Sequence, residues 1–261
     1  LGDVYKRQVE AELFVNGEKT DAQQLTTGFR AVSYDKDRGL RINGAVQWLR
    51  GYAQRAANEW AAIGIAPEWL HDEDAALIRE SNANHIRFMH VAGSPADVRA
   101  FDRRGIVCTQ PAGDKEKESF GRQWDQRVEL MRDVIIAFRN HPSVIVWESN
   151  NGLARDGERY LPSRTLAEVK KHDFIAPRIV LNRDGYPPEW DEAENVVVGY
   201  TNWYWKDDRA PSINTEVYGT NWNGDPSFCI ARDDYDNEVK FSQYYVCLLY
   251  TSPSPRDRQK S

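Results

Sequence analysis

The stretch HPSVIVWESNNG, residues 141–152, decides how the chain is read. Val144, Ile145, Val146 and Trp147 follow one another without polar alternation, as in a strand covered on both faces, and Pro142 marks the entry. The run stops at Glu148, and Ser149, Asn150, Asn151 and Gly152 behind it favour a turn. A carboxylate in that place is costly to bury, so it is either paired or chemically active.

The same texture repeats on both sides. Asp72–Asn82 is helical in period and His85–Val91 is strand-like. Ser94, with Pro95 at the first helical position and Asp97 at the third, opens a helix to Arg104, and Ile106–Gln110 follows as a strand. Gln123–Arg139 is an amphipathic helix leading into the opening strand. Downstream, Ser163–His172 reads as a helix with a serine cap, and Ile179–Asn182, Val196–Thr201 and Ser212–Thr215 read as strands. Starting from Val46–Gly51, seven strands alternate with helices, and no eighth is visible before Cys247. Continuous apolar strands in βα repeats predict a parallel sheet, here an incomplete (β/α)8 TIM barrel over residues 39–246. Upstream the texture is β-rich. Val9–Val15 alternates and ends on Asn16-Gly17, Phe29–Tyr34 reads as a second short strand, and Leu40 and Ile42 lead to a second turn pair, Asn43-Gly44.

Composition narrows the partners. A 261-residue chain with 41% hydrophobic residues has enough apolar material for a large core. The net charge of −6, with no Lys/Arg stripe interleaved with aromatics, argues against nucleic acid. No apolar run is long enough to span a bilayer and the opening residues lack a signal-peptide pattern, so no membrane partner is expected. Cys108, Cys229 and Cys247 have neither disulfide-framework nor metal-ligand spacing, and no cofactor or metal is expected. The acidic run Asp233, Asp234, Asp236 lacks the glycine and closing glutamate of a calcium loop and reads as a solvated helix start. Residues 1–8 and 247–261 resemble read-through of sequencing-adapter DNA and are set aside as non-native to the fold.

In a barrel the chemistry sits where the strands end. Those ends carry Gln54 and Arg55, Arg87 and His90, Gln110 and Asp114, Glu148–Asn151, Arg183 and Asp184, Asn202–Trp205, and Glu216. Two ends offer a glutamate. Paired carboxylates with aromatics and an Arg/His pair suit cleavage of a glycosidic bond, one carboxylate attacking and the other protonating the leaving oxygen.

Taken in order, GFR (28–30), LRINGAVQWLRG (40–51), NANHIRFMHVAGSP (82–95), FDRRGIVC (101–108), RNHPSVIVW (139–147) and INTEVYG (213–219) resemble glycoside hydrolase family 2, which groups β-galactosidases, β-glucuronidases and β-mannosidases. The resemblance implies that residues 9–38 end an immunoglobulin-like sandwich, that the catalytic barrel follows, and that the substrate is a carbohydrate with a terminal β-linked sugar. Were the natural protein a bacterial polysaccharide-degrading enzyme, it would be expected in the periplasm or outside the cell. By the same resemblance Glu216 stands at the nucleophile's place, with one extra residue before Tyr218. Arg87 matches the arginine that keeps the nucleophile ionised, and His90 the histidine of R-x-x-H. Asn202, Trp203, Tyr204 and Trp205 resemble the segment that walls the sugar subsite, with core packing the alternative for some of those rings. Asn151 matches the asparagine preceding the family's acid.

The departure lies in the opening stretch. Where the family places its general acid/base glutamate, this chain has Gly152, which has no proton to give. Glu148 is the nearest carboxylate. On a straight strand it would lie roughly 13 Å below position 152, too deep to come within about 5 to 5.5 Å of the Glu216 carboxylate. If the strand ends near Trp147, Glu148 reaches the mouth. Two roles therefore stay open for it, an atypical acid/base and a buried partner of Arg87. Asp114, Asp156, Glu158 and Asp184 are weaker substitutes. A catalytically impaired carbohydrate-binding protein on the same fold is the alternative function.

Overall fold

The β-branched runs that mark the strands pair in chain order. The computed structural model describes residues 6–35, 39–54, 66–89, 91–111, 122–149, 160–175, 178–182, 196–201 and 212–216. Among them one seven-stranded sheet is formed by β6 (Gly51–Gln54), β7 (His85–Phe88), β8 (Val107–Pro111), β9 (Val144–Glu148), β10 (Ile179–Asn182), β11 (Val196–Thr201) and β12 (Ser212–Glu216). Each strand lies parallel to the next. Helices α1 (Glu68–Glu80), α2 (Pro95–Arg104), α3 (Arg122–Phe138) and α4 (Tyr160–His172) fill the first four crossovers. This is the winding of a (β/α) barrel, incomplete at seven strands among the described residues.

Local chemistry explains the boundaries. Ser94 caps α2 through a reciprocal capping box with Asp97, Pro95 occupies the first turn, and Gly105 ends the helix in the left-handed region at φ 66°. Two helices start earlier than the sequence suggested. α1 begins at Glu68 rather than Asp72, and α4 begins at Tyr160, so Ser163 lies inside it and is not its cap. The first barrel strand is Gly51–Gln54 rather than Val46–Gly51, because residues 45–46 are spent on another sheet. Gly51 is required at its place: a Cβ there would lie 1.6 Å from the His85 carbonyl oxygen on the neighbouring strand.

The upstream residues form two antiparallel sheets. β1 (Lys6–Val15) and β2 (Glu18–Gly28) make a long hairpin, while β3 (Val32–Asp35), β4 (Gly39–Ile42) and β5 (Ala45–Val46) form a three-stranded sheet. Both expected turn pairs are present, with positive φ at Asn16, Gly17, Asn43 and Gly44. The second hairpin strand is Glu18–Gly28, not Phe29–Tyr34. Its sequence, EKTDAQQLTTG, has no apolar alternation because that strand is largely exposed. The β3–β4 pairing joins residues 32–35 to 39–42, across the boundary at residue 38 drawn from sequence.

Two apolar layers sandwich the parallel sheet. Ile86, Phe88, Cys108, Trp147 and Val180 pack outward with the helices, through residues such as Phe101, Met131, Ile135 and Val169. Val107, Ile145, Val146, Ile179 and Leu181 pack inward, where Leu40 and Ile42 of β4 join them. The one irregularity decides what β9 presents. Cys108 pairs with Val144 and Thr109 with Val146, which leaves Ile145 as an extra residue. Val144 packs with the outer layer, so strict alternation would send Val146 and Glu148 outward as well. The bulge resets the alternation and turns both inward.

A pair of arginines ties the sheet's lower rim. Arg178 donates to the carbonyls of Val144 (2.7 Å), Arg139 (2.5 Å) and His141 (3.2 Å) and to Asp173 (2.5 Å). Its guanidinium also lies 5.4 Å from the centre of the Trp147 ring, whose indole N–H donates to Asp173 at 3.0 Å. Arg30 donates to the Pro142 and Val144 carbonyls, fastening the upstream sheets to the start of β9. Burial, and then the charge of Arg178, lowers the Arg30 guanidinium to about 9. Asp102 holds the turn before β9 through the His141 ring (2.6 Å) and the Ser143 N–H (3.0 Å).

Two predictions follow from this framework. Arg178→Ala strands the buried Asp173 carboxylate and is expected to cost about 3–5 kcal/mol in urea denaturation. His85, enclosed by the barrel and next to Arg87, has its pKa lowered to about 4. Because the folded value lies below the unfolded one, the His85 contribution is fully present above roughly pH 6.5 and is lost as pH falls through about 4. His85→Gln should therefore flatten the fall of the urea midpoint across that window relative to the parent.

Candidate active site

The inward face of the sheet carries polar groups from the start of β7, at His85, to the carboxyl ends of β7 and β9, at Arg87 and Glu148. On β7, His85 and Arg87 alternate with the outward Ile86 and Phe88. His85 meets the Thr109 hydroxyl of β8 at 3.0 Å and stays neutral, with burial and Arg87 both lowering its pKa. Two residues further toward the mouth, Arg87 is 3% exposed and Glu148, the last residue of β9, is 1% exposed. They face each other across β8.

Their contact is bidentate. Arg87 Nε donates to Glu148 Oε2 at 2.6 Å and Arg87 Nη2 to Oε1 at 2.5 Å. A planar fork on a carboxylate fixes both side chains at once, and its charge-assisted bonds offset part of the desolvation cost of each. In the ladder Glu148 stands beside Pro111 of β8 and Leu181 of β10. The next residue is locked too, since the Ser149 N–H and hydroxyl both donate to the Leu181 carbonyl at 2.9 Å. Of the two placements weighed for Glu148, the strand does end there, and the carboxylate turns inward to Arg87.

Glu216 ends β12, three strands along the sheet from Glu148. Its pairing is bulged in the same way. Tyr200 pairs with Asn214 and Thr201 with Glu216, leaving Thr215 as an extra residue. Each of these two strands thus has a one-residue bulge in its pairing shortly before its terminal glutamate.

The structure therefore brings Arg87 and Glu148 together and places Glu216 at a strand's carboxyl end in the same sheet. His90, Asn151, Gly152, Trp203 and Tyr204 lie outside the described residues, as do Asp114, Asp156, Glu158, Asp184 and the acidic run at 233–236. Sequence reading did not find the His85–Thr109 contact beneath the ion pair, because a histidine at a strand's start gives no signal of facing a threonine on the neighbouring strand. Among the described residues no group of three or more His, Cys, Asp or Glu gathers as a metal site, and no helix is long and apolar enough to cross a membrane.

Comparison with known proteins follows the same lines. A β-glucuronidase of Formosa agariphila is 32% identical over 236 residues, covering 90% of this chain and 22% of that protein. A β-glucuronidase of Bacteroides fragilis is 29% identical over 215 residues, covering 70% of this chain and 30% of that one. The chain thus spans about a quarter of the length of these relatives. Among solved structures, a β-glucuronidase from glycoside hydrolase family 2 superposes with a TM-score of 0.62 at 26% identity, covering 75% of this chain and 22% of that one. A β-glycosidase from Bacteroides vulgatus, with a TM-score of 0.62 at 22% identity over 75% of this chain and 25% of that one, shares the fold. The model for the glycosyl hydrolases family 2 TIM barrel domain matches residues 35–226, and with the parallel sheet and ordered motifs this establishes that the chain belongs to glycoside hydrolase family 2.

Proposed function

We propose that this chain is barrel sequence of a glycoside hydrolase that removes a terminal β-linked sugar, as β-glucuronidases and β-galactosidases do, by a retaining mechanism with an atypical acid/base step. Residues 9–38 would then be the end of an immunoglobulin-like sandwich preceding the barrel. The observation that carries the reading is Glu216 at the carboxyl end of β12, in a family 2 barrel whose inner face holds the Arg87–Glu148 pair. In this mechanism a Glu216 carboxylate oxygen attacks the anomeric carbon as the bond to the leaving oxygen breaks, and that oxygen takes up a proton from the acid/base group or, for an activated leaving group, from solvent. Water, giving up a proton, then hydrolyses the glycosyl–enzyme ester and frees Glu216. His90, Trp203, Tyr204 and Asn151 are proposed to line the sugar subsite.

Both oxygens of Glu148 accept from Arg87, which supports a resting role in which Glu148 holds the guanidinium in place. To act as the acid/base it would have to release one of those N–H groups and take up a proton. The second reading, a carbohydrate-binding protein that has lost hydrolysis, is favoured by Gly152 at the usual acid position. An activated aryl glycoside separates the two, because its leaving group needs little protonation: an enzyme gives a burst of released phenol and a binding module gives none.

Glu216→Gln is expected to abolish turnover of that substrate, a loss of at least about 10³-fold in kcat, while leaving the circular-dichroism spectrum and melting temperature near those of the parent. Unchanged turnover would remove Glu216 from the reaction. Glu148→Gln should lower kcat/KM by a similar factor for aryl glycosides of good and poor leaving groups, as expected of a residue acting through Arg87. A loss of kcat/KM confined to poor leaving groups, with azide speeding turnover of the activated substrate by attacking the glycosyl–enzyme to give a glycosyl azide, would instead assign it the acid/base role.

A further inference from the structure

Gln110, at the carboxyl end of β8, is fully buried, yet half of its amide is unsatisfied. Its Oε1 accepts from the Gly93 N–H at 3.0 Å, while its Nε2 has no partner among the described residues. An apolar side chain of similar volume would fill the space without an orphaned donor, so what Gln110 supplies is its carbonyl oxygen.

That oxygen holds the connection between β7 and α2. The connection leaves the strand after Phe88, where the Met89 N–H donates to the Gln54 carbonyl of β6 at 2.8 Å. It ends at Ser94, whose N–H and hydroxyl donate to Asp97 at 2.8 and 2.9 Å, and Asp97 in turn meets the His71 ring at 2.6 Å. Between these anchors, Gly93 is pressed against the Phe88 ring. A Cβ on Gly93 would lie 2.3 to 2.6 Å from three ring carbons, and the ring is stacked on Phe101 of α2 at 5.6 Å. Gln110, Gly93, Phe88 and Phe101 therefore form one lock. It fixes the chain that follows Arg87, whose Val91 is 63% exposed at the end of the sheet where the glutamates lie.

We propose that Gln110 is a positioning residue: through its single hydrogen bond to Gly93 it sets the β7–α2 connection against the barrel mouth, and so tunes sugar binding next to Arg87. The proposal deepens the hydrolase reading and rests on it for its kinetic consequence, while the lock itself is independent of that reading. The arrangement requires an acceptor at position 110, a small residue at 93 and an aromatic ring at 88.

The test uses Gln110→Met, which keeps the volume and removes the acceptor, and Gln110→Glu, which keeps the acceptor. Amide hydrogen exchange on the peptide spanning residues 89–94 should be faster by about tenfold in Gln110→Met and close to the parent in Gln110→Glu, with the interior of α2 unchanged in both. With an aryl glycoside, Gln110→Met should raise KM about tenfold with kcat within about twofold of the parent, and Gln110→Glu should restore KM. Gly93→Ala should shift KM in the same direction by displacing the Phe88 ring. Unaltered exchange in Gln110→Met would overturn the lock. Faster exchange with an unaltered KM would overturn its role in binding. Absence of hydrolysis in the parent would instead contradict the proposed function, leaving the exchange result to decide the lock.

Discussion

The bidentate contact between Arg87 and Glu148 is the constraint on which the inner face of this barrel depends. Two full charges sit almost wholly out of water, and each is tolerable only because the other meets it with matched geometry. That geometry sets demands on three strands. β7 must turn Arg87 inward, β8 must offer a small polar surface at Thr109 between the two strands, and β9 must end with Glu148 facing the interior. The bulge at Ile145 meets the last demand, by letting Trp147 stay in the outer layer under Arg178 while Glu148 turns in. The lower rim is built with the same economy. Arg178 and Arg30 converge on the Val144 carbonyl, so the strand that carries Glu148 is fixed from below as firmly as from above.

The tie to function runs through charge and position. A carboxylate nucleophile acts in its ionised form, which a nearby cation favours, and the family resemblance assigns that task to Arg87. Among the described residues the Arg87 guanidinium is held by Glu148 through two hydrogen bonds. A glutamate at position 148 and a glycine at position 152 are then two parts of one departure. By the resemblance, the position of the family's acid/base glutamate holds Gly152, and Glu148, four residues earlier, is bound to Arg87. Activated and unactivated substrates report on these two changes separately.

Much of the architecture was legible because parallel strands buried on both faces leave unbroken apolar runs. Val144–Trp147 and Ile179–Asn182 stood out for that reason, and Ser94, Pro95 and Asp97 gave the start of α2. The strand Glu18–Gly28 was missed because it is exposed on both faces, so its hydrogen bonds to β1 leave no trace in hydropathy. The early start of α1 was missed because it lacks the side-chain cap that betrays α2; Pro67 precedes α1 without a capping bond. In the site, sequence could name Arg87 and Glu148 and raise their pairing as one of two roles. It could not choose, because the inward turn of Glu148 follows from a bulge, and a single extra residue in an apolar run is invisible until the partner strand is seen. Gln110 was visible as a polar strand end, but its bond to Gly93 joins residues that no local pattern connects.

The central claim is that Glu216 forms a covalent bond to the sugar. Its most direct test is trapping with a 2-deoxy-2-fluoro glycoside that carries an activated leaving group, followed by proteolysis and mass spectrometry of the labelled peptide. The account predicts one equivalent of fluorosugar per chain, attached at Glu216. Label on Glu148 or another carboxylate, or turnover of the activated substrate with no label on Glu216, would contradict it.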